Sequence, residues 1–126
     1  MDNRQIGLRV ASALAGTAIL TGLMLTSVQA LDGPTKAVIE AAVSNKTYQG
    51  SMLDNGFAEY YDPSGNIRGK NYTGKWRAAD GMMCFQYGDT AEKCFEVQID
   101  GPAMTMYKNG KIDGNGILVD GNPQKF

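Results

Sequence analysis

Apolar and polar residues alternate along most of the chain after residue 55, in short segments separated by turn-forming residues. The segments predicted as strands are 57–61, 67–72, 74–79, 82–87, 94–99, 103–108 and a short region at 111–119 broken by Gly114 and Gly116. Alternation with a period of two places one set of side chains on a buried face. The turns recur about every ten residues, which is typical of an all-β barrel or sandwich with meander connections.

The turn sequence Asp80-Gly81 predicts how the strands on either side of it pair. In that register Trp76 lies opposite Phe85, and both belong to the apolar face. Lys75 falls on the polar face, because neighbouring side chains of a strand point in opposite directions. A second turn, centred on Asp89, assigns the same apolar side chains to the buried face. Two independent turns therefore agree on one register.

The two cysteines, Cys84 and Cys94, lie in the second of these hairpins. The turn places them opposite each other, with Cα atoms about 4.5–5.5 Å apart, which is within reach of a disulfide. A zinc site needs about four Cys, His or carboxylate ligands, and the chain has no histidine. A thioredoxin-like redox pair needs C-x-x-C spacing. The sequence therefore predicts a structural disulfide between Cys84 and Cys94.

The first 30 residues have the three parts of a secretory signal peptide. Two arginines precede a long uncharged apolar run, and Val28 and Ala30 occupy the −3 and −1 positions of a small-residue cleavage site. Cleavage would leave Leu31 as the first residue, in an oxidising compartment where disulfides persist. An uncleaved anchor is the alternative, since about 20 apolar residues can span a bilayer. We therefore expect a periplasmic or secreted protein with no stable membrane span after cleavage.

Residues 31–126 are predicted to form a single β-rich domain with one short helix near 35–44. Pro34 stands at the start of this helix, and Val38, Ala41 and Ala42 recur at helical spacing. A helix of this length is marginal in isolation, so it is expected to cover an end of the sheet. The predicted fold class is all-β and mainly antiparallel: a small meander β-barrel or sandwich with one short N-terminal helix and one disulfide.

The order of these motifs resembles that of a proteobacterial family of small secreted domains of unknown function. The segments that carry the resemblance are AEYYDPSGNIRG, GKW, ADGMMC, KCFEV and MYKNGK, within roughly residues 35–110. The resemblance implies a periplasmic or secreted β-domain and implies no activity. The GKW segment, Gly74–Trp76, is also similar to the G-x-W motif of lipocalin-like barrels. There the motif lies on the first strand, whereas here it lies mid-domain, so the likeness concerns the fold alone.

Composition limits the chemistry that the domain can perform. After removal of the first 30 residues, twelve acidic and ten basic side chains remain, which is not the basic excess of a nucleic-acid-binding protein. Without histidine there is no His-based triad and no His-ligated metal, and oxidised cysteines offer no thiolate. Asp113 and Asn115 suggest a calcium loop, but the closing glutamate of such a loop is missing. We expect no cofactor, no metal and no catalysis.

Pairs of carboxylates leave one enzymatic alternative open. Asp54 with Glu59, or Glu92 with Glu96, could in principle serve as the acid and base of a hydrolase. Acidic residues on a small soluble domain are mostly solvated surface and turn residues. A carboxylate-based hydrolase is therefore the least favoured alternative.

Aromatic residues carry the ligand-binding predictions. Trp76 lies on the buried face, where it is either part of the core or the wall of an apolar cavity. Tyr60, Tyr61 and Tyr72 cluster on the first hairpin beside Arg68, and aromatic and Arg residues are favoured at binding surfaces. We expect a non-enzymatic module that binds an envelope protein or a small ligand. The alternative is a lipocalin-like carrier with an apolar ligand behind Trp76.

Overall fold

The computed structural model of the chain describes residues 33–126 and, ahead of them, only Gly16. The predicted signal peptide and its cleavage site therefore lie outside the described residues. The described part forms one helix and eight strands. Their bounds are α1 (Lys36–Val43), β1 (Lys46–Met52), β2 (Asn55–Tyr61), β3 (Asn66–Arg68), β4 (Thr73–Ala79), β5 (Met82–Gln86), β6 (Lys93–Asp100), β7 (Ala103–Lys108) and β8 (Lys111–Asp120).

The eight strands form one closed antiparallel barrel. Each strand pairs with the next one in the chain, and β8 pairs with β1 to close the barrel. An up-and-down barrel of this kind closes on itself and has no edge strand, although β2 and β3 pair at two residues only. The predicted fold class is confirmed, and the architecture is a barrel rather than a sandwich.

The pairing of β4, β5 and β6 is the one that the two turns predict. Trp76 lies opposite Phe85, and Cys84 lies opposite Cys94. The two cysteines form a disulfide. Because side chains alternate along β5, the disulfide lies on the outer wall of the barrel while Phe85 points inward. The predicted disulfide and its position are both confirmed.

Strands β1 and β8 differ most from the prediction. β1 was not predicted, and β8 runs without a break through Gly114 and Gly116. At this seam the backbones approach closely: a Cβ atom on Gly50 would lie 2.1 Å from the carbonyl oxygen of Asn115. A Cβ atom on Gly116 would lie 2.6 Å from the ring of Tyr48. These glycines permit close strand packing and do not interrupt the strand.

Helix α1 closes one end of the barrel. Thr35 caps its N-terminus, and the backbone N–H of Lys36 donates to a carboxylate oxygen of Asp80, in the turn after β4, at 2.8 Å. Ile39 and Val43 are fully buried against the barrel interior. The helix therefore covers the barrel end, as expected, but its buried face is not the predicted one, because Val38 and Ala41 are exposed. No helix in the described part of the chain is long and apolar enough to cross a membrane.

The opposite end of the barrel, called here the loop end, is formed by four connections. They are residues 53–54, 69–72, 87–92 and 109–110. The space between α1 and the loop end is filled mainly by apolar side chains: Ile39, Val43, Tyr48, Tyr61, Ile67, Trp76, Ala78, Met83, Phe85, Val97, Met104, Met106 and Leu118. An eight-stranded barrel is just wide enough to be filled by side chains or to hold one small ligand. Near the loop end this packing gives way to a cavity.

Candidate ligand-binding site

The cavity at the loop end has a volume of about 360 Å³. Its lining residues are Met52, Leu53, Phe57, Glu59, Phe85, Tyr87, Thr90, Ala91, Lys93, Phe95 and Met106. Most of these side chains are apolar, and four of them are aromatic. Ligand sites in proteins are usually apolar concavities of about 300–1,000 Å³ with a few convergent polar groups. The cavity matches that description in both size and character.

A larger concavity runs along β3, β4 and β5 and has a volume of about 560 Å³. Arg68, Lys75 and Gln86 contribute polar side chains to it, and it is more open than the cavity at the loop end. Its charged side chains are all exposed, so water competes for every charged contact that a ligand could make there. The loop-end cavity is therefore the stronger candidate site.

Glu59 is the distinctive residue of this cavity. On β2, side chains alternate so that Phe57, Glu59 and Tyr61 point into the barrel. The Glu59 residue is only 2% exposed, although a charged side chain is rarely buried without specific partners. A glutamate that shares one strand face with two aromatic residues was the signal that could have identified it from the sequence.

Three tyrosine hydroxyls converge on the Glu59 carboxylate. Tyr61 donates to Oε1 at 2.9 Å, and Tyr72 donates to Oε2 at 2.9 Å. Tyr87 lies within 2.9 Å of both carboxylate oxygens. The three donors come from β2 and from two different connections at the loop end. Their contacts satisfy a carboxylate that would otherwise be costly to bury.

The charge of Glu59 is not balanced by a cation within the described residues. Glu59 takes part in none of the ion pairs found among residues 33–126. Burial raises the pKa of Glu59, while the hydrogen bonds from the three tyrosines oppose that rise. Burial and the negative charge of Glu59 also raise the pKa of Tyr72 and of Tyr87. Their hydroxyls therefore remain protonated donors.

The raised pKa of Glu59 predicts a specific pH dependence of stability. As the pH rises above the ordinary value of 4.5, the unfolded chain loses this proton before the folded chain does. The folded state then binds more protons, so the Glu59 contribution to the free energy of unfolding falls with rising pH until the raised pKa is passed. We expect the free energy of unfolding of the wild type, relative to Glu59→Gln, to fall across that window in denaturant titrations.

The control for this experiment is Glu40→Gln, on the exposed face of α1. The same measurement on this variant controls for the effect of a Glu-to-Gln substitution as such. A wild-type minus Glu59→Gln difference that stays constant, or that increases as the pH rises, would contradict the prediction.

Two of the residues predicted as ligand-binding, Tyr61 and Tyr72, meet at this site. Tyr61 reaches Glu59 from inside the barrel and is fully buried. Tyr72 reaches Glu59 from the connection between β3 and β4. The predicted strand 67–72 is shorter in the structure, because β3 ends at Arg68 and residues 69–72 form a turn. Tyr87, the last residue of the predicted strand 82–87, completes the cluster.

The other predicted ligand-binding residues lie elsewhere. The Tyr60 hydroxyl donates to the side-chain oxygen of Asn45 at 2.8 Å. Arg68 is exposed and pairs with Asp62 at 3.3 Å. Trp76 is 8% exposed and donates from Nε1 to the backbone carbonyl of Asp62 at 2.9 Å. None of the five predicted ligand-binding residues is in the lining of the loop-end cavity; Tyr61 and Tyr72 contact it only through Glu59.

The two carboxylate pairs considered for hydrolysis do not form an acid–base pair in the cavity. Asp54 is exposed in the turn after β1 and is not among the lining residues that include Glu59. Glu92 accepts two hydrogen bonds from Arg77, at 2.9 and 2.6 Å. Burial of Glu59 also differs from the expectation that the acidic residues are solvated. The cavity lining thus contains one carboxylate.

A scan against protein-family models, a search of the curated proteins and a search of the solved structures found no match to this chain. The geometry of the loop end is therefore the basis for assigning a function.

Proposed function

We propose that this protein is an exported, non-enzymatic binding barrel that holds one small, largely apolar ligand in the cavity at its loop end. The observation that carries the proposal is an apolar, aromatic-lined cavity of about 360 Å³ at the end of a small closed barrel. A core that served stability alone would be filled by side chains, because cavities cost stability.

Export is supported by two features of the chain. Residues 1–30 have the pattern of a signal peptide, and the Cys84–Cys94 disulfide belongs to the chemistry of oxidising compartments. A periplasmic or secreted location therefore forms part of the proposal. Such a location also suits a protein that binds small molecules released into or passing through the cell envelope.

A small ligand is favoured over an envelope protein by the distribution of exposed apolar residues. In residues 33–126, the large apolar side chains that are more than half exposed are Val38 on α1, Leu53 at the loop end, and Ile112 and Ile117 on β8. They are spread over α1, the loop end and the length of β8, whereas a protein-binding face usually presents one contiguous patch. An envelope-protein partner stays a prediction from the sequence.

The hydrolase alternative receives less support from the same site. Hydrolysis by carboxylates usually requires two of them, one as acid and one as base or nucleophile. The lining of the cavity supplies Glu59 alone. Three hydroxyl donors also surround its oxygens, which favours a fixed acceptor over a proton-transfer group.

Blocking the cavity is expected to abolish ligand binding. Ala91 lines the cavity from the connection between β5 and β6, so Ala91→Trp would fill its entrance. We expect the uncharged fluorophore N-phenyl-1-naphthylamine to bind the wild type with a saturable rise in its emission. The affinity of Ala91→Trp should be at least about tenfold weaker, which corresponds to about 1.4 kcal/mol.

Ala37→Trp, on the exposed face of α1 at the other end of the barrel, is the matched control. It adds the same indole without touching the cavity and should bind the fluorophore as the wild type does. The proposed function is wrong if the wild type shows no saturable binding, or if Ala91→Trp binds as tightly as the control.

A further inference from the structure

The acceptor capacity of Glu59 exceeds what its protein partners use. An ionised carboxylate has about four lone-pair positions for hydrogen bonds. Tyr61 and Tyr72 each donate to one oxygen, and Tyr87 shares its single hydroxyl proton between both, so three protons serve four positions. Glu59 also lines the cavity, which places this unused acceptor capacity beside the space that a ligand would occupy.

We propose that the ligand of this cavity carries a protonated amine, or another cationic nitrogen with an N–H, which donates to Glu59 while the apolar body of the ligand fills the rest of the cavity. This inference rests on the proposed function and narrows the class of ligand. It follows from the juxtaposition of a buried carboxylate, which takes part in no ion pair among residues 33–126, and a mainly apolar wall.

The aromatic lining suits the same chemistry. Phe57, Phe85 and Tyr87 line the cavity, and the faces of aromatic rings attract cations within about 6 Å. Phe95 lines it too, but the Lys108 ammonium already lies 5.2 Å from the centroid of its ring. Tyr87 contributes twice, since its hydroxyl is bonded to Glu59 and its ring belongs to the wall. An amine bound beside Glu59 would thus find a negative partner and polarisable rings together.

Lys93 also lines the cavity and suggests the opposite preference, for an anionic ligand. Its side chain is exposed, whereas Glu59 is 2% exposed. Electrostatic interactions at a water-exposed site are several-fold weaker than those at a buried one, and salt screens them further. The buried carboxylate therefore dominates the selection of charge.

The test compares three ligands that share one apolar body and differ in the charge of the terminal group. They are 4-phenylbutylamine, 4-phenylbutanol and 4-phenylbutanoate, each measured by displacement of N-phenyl-1-naphthylamine at neutral pH. We expect the amine to bind about tenfold to a hundredfold more tightly than the alcohol, as a charge-assisted hydrogen bond would provide. The carboxylate is expected to bind most weakly.

Two variants assign the preference to a residue. Glu59→Gln removes the negative charge and turns one acceptor oxygen into an NH2 donor, so the affinity for the amine should fall to the level of the alcohol. Lys93→Gln should preserve the order of the three ligands. The order of the three ligand affinities is measured on the wild type alone. The proposal therefore stays testable even if Glu59→Gln fails to fold.

The possible outcomes separate this inference from the proposed function. Equal binding of the amine and the alcohol, tighter binding of the carboxylate, or an amine preference that persists in a folded Glu59→Gln variant would overturn the amine inference while the binding barrel stands. If neither the fluorophore nor any of the three ligands binds the wild type, both proposals are wrong.

Discussion

Replacing Trp76 by alanine is expected to lower the free energy of unfolding by about 3–5 kcal/mol, the usual range for truncating a buried aromatic side chain. Trp76 is 8% exposed, and its ring packs edge-on against Tyr61 with ring centroids 6.0 Å apart. Its Nε1 also donates to the backbone carbonyl of Asp62, which would lose that donor. Denaturant titration monitored by circular dichroism measures the effect.

Lys75→Ala is the matched control, because Lys75 is the neighbour of Trp76 on the same strand and points outward. Its cost is expected to stay below about 1 kcal/mol, as for most surface substitutions. A larger loss from Lys75→Ala than from Trp76→Ala would be incompatible with the inward orientation of Trp76.

Removal of the disulfide by the double substitution Cys84→Ser and Cys94→Ser is expected to cost about 3 kcal/mol. The estimate follows from the entropy of closing a loop of about 11 residues in the unfolded chain. For a domain of this size, each kcal/mol lowers the melting temperature by about 4–8 °C. We expect the melting temperature to fall while the barrel still folds, because strand pairing and the apolar interior are retained.

Two measurements accompany the disulfide variant. Thiol labelling of the unreduced wild type under denaturing conditions should detect no free thiol, since the two sulfurs are bonded to each other. Binding of N-phenyl-1-naphthylamine to the folded double variant should persist, because the disulfide lies on the outer wall. Free thiols in the wild type, or a double variant of unchanged stability, would contradict the structural role of the bond.

The parts of the fold that could be predicted depend on local signals. The pairing of Trp76 with Phe85 and of Cys84 with Cys94 follows from turns within the same short stretch of chain. β1 pairs with the neighbouring β2, but its sequence KTYQGSM is largely polar and the turn between them is Leu53-Asp54, not an Asn-Gly or Asp-Gly pair. The glycines of β8 suggested a break, and only the close approach of β1 explains why they are there.

The candidate site was predicted less completely than the fold. Tyr61 and Tyr72 were expected at a binding surface, but their common partner Glu59 was expected to be solvated. The Tyr72 and Tyr87 hydroxyls meet Glu59 across 13 and 28 residues of chain. Closure of the barrel brings them together, and no alternation within one strand contains that information.

The closure of one barrel end by α1 has a kinetic consequence for any molecule held in the cavity. Ile39 and Val43 pack against the interior from that side and are fully buried, so the α1 end offers a molecule in the cavity no way out. A second molecule cannot arrive from the α1 side and displace the first. We therefore expect the proposed ligand to exchange by dissociation followed by rebinding, with a residence time that does not depend on the concentration of the next molecule.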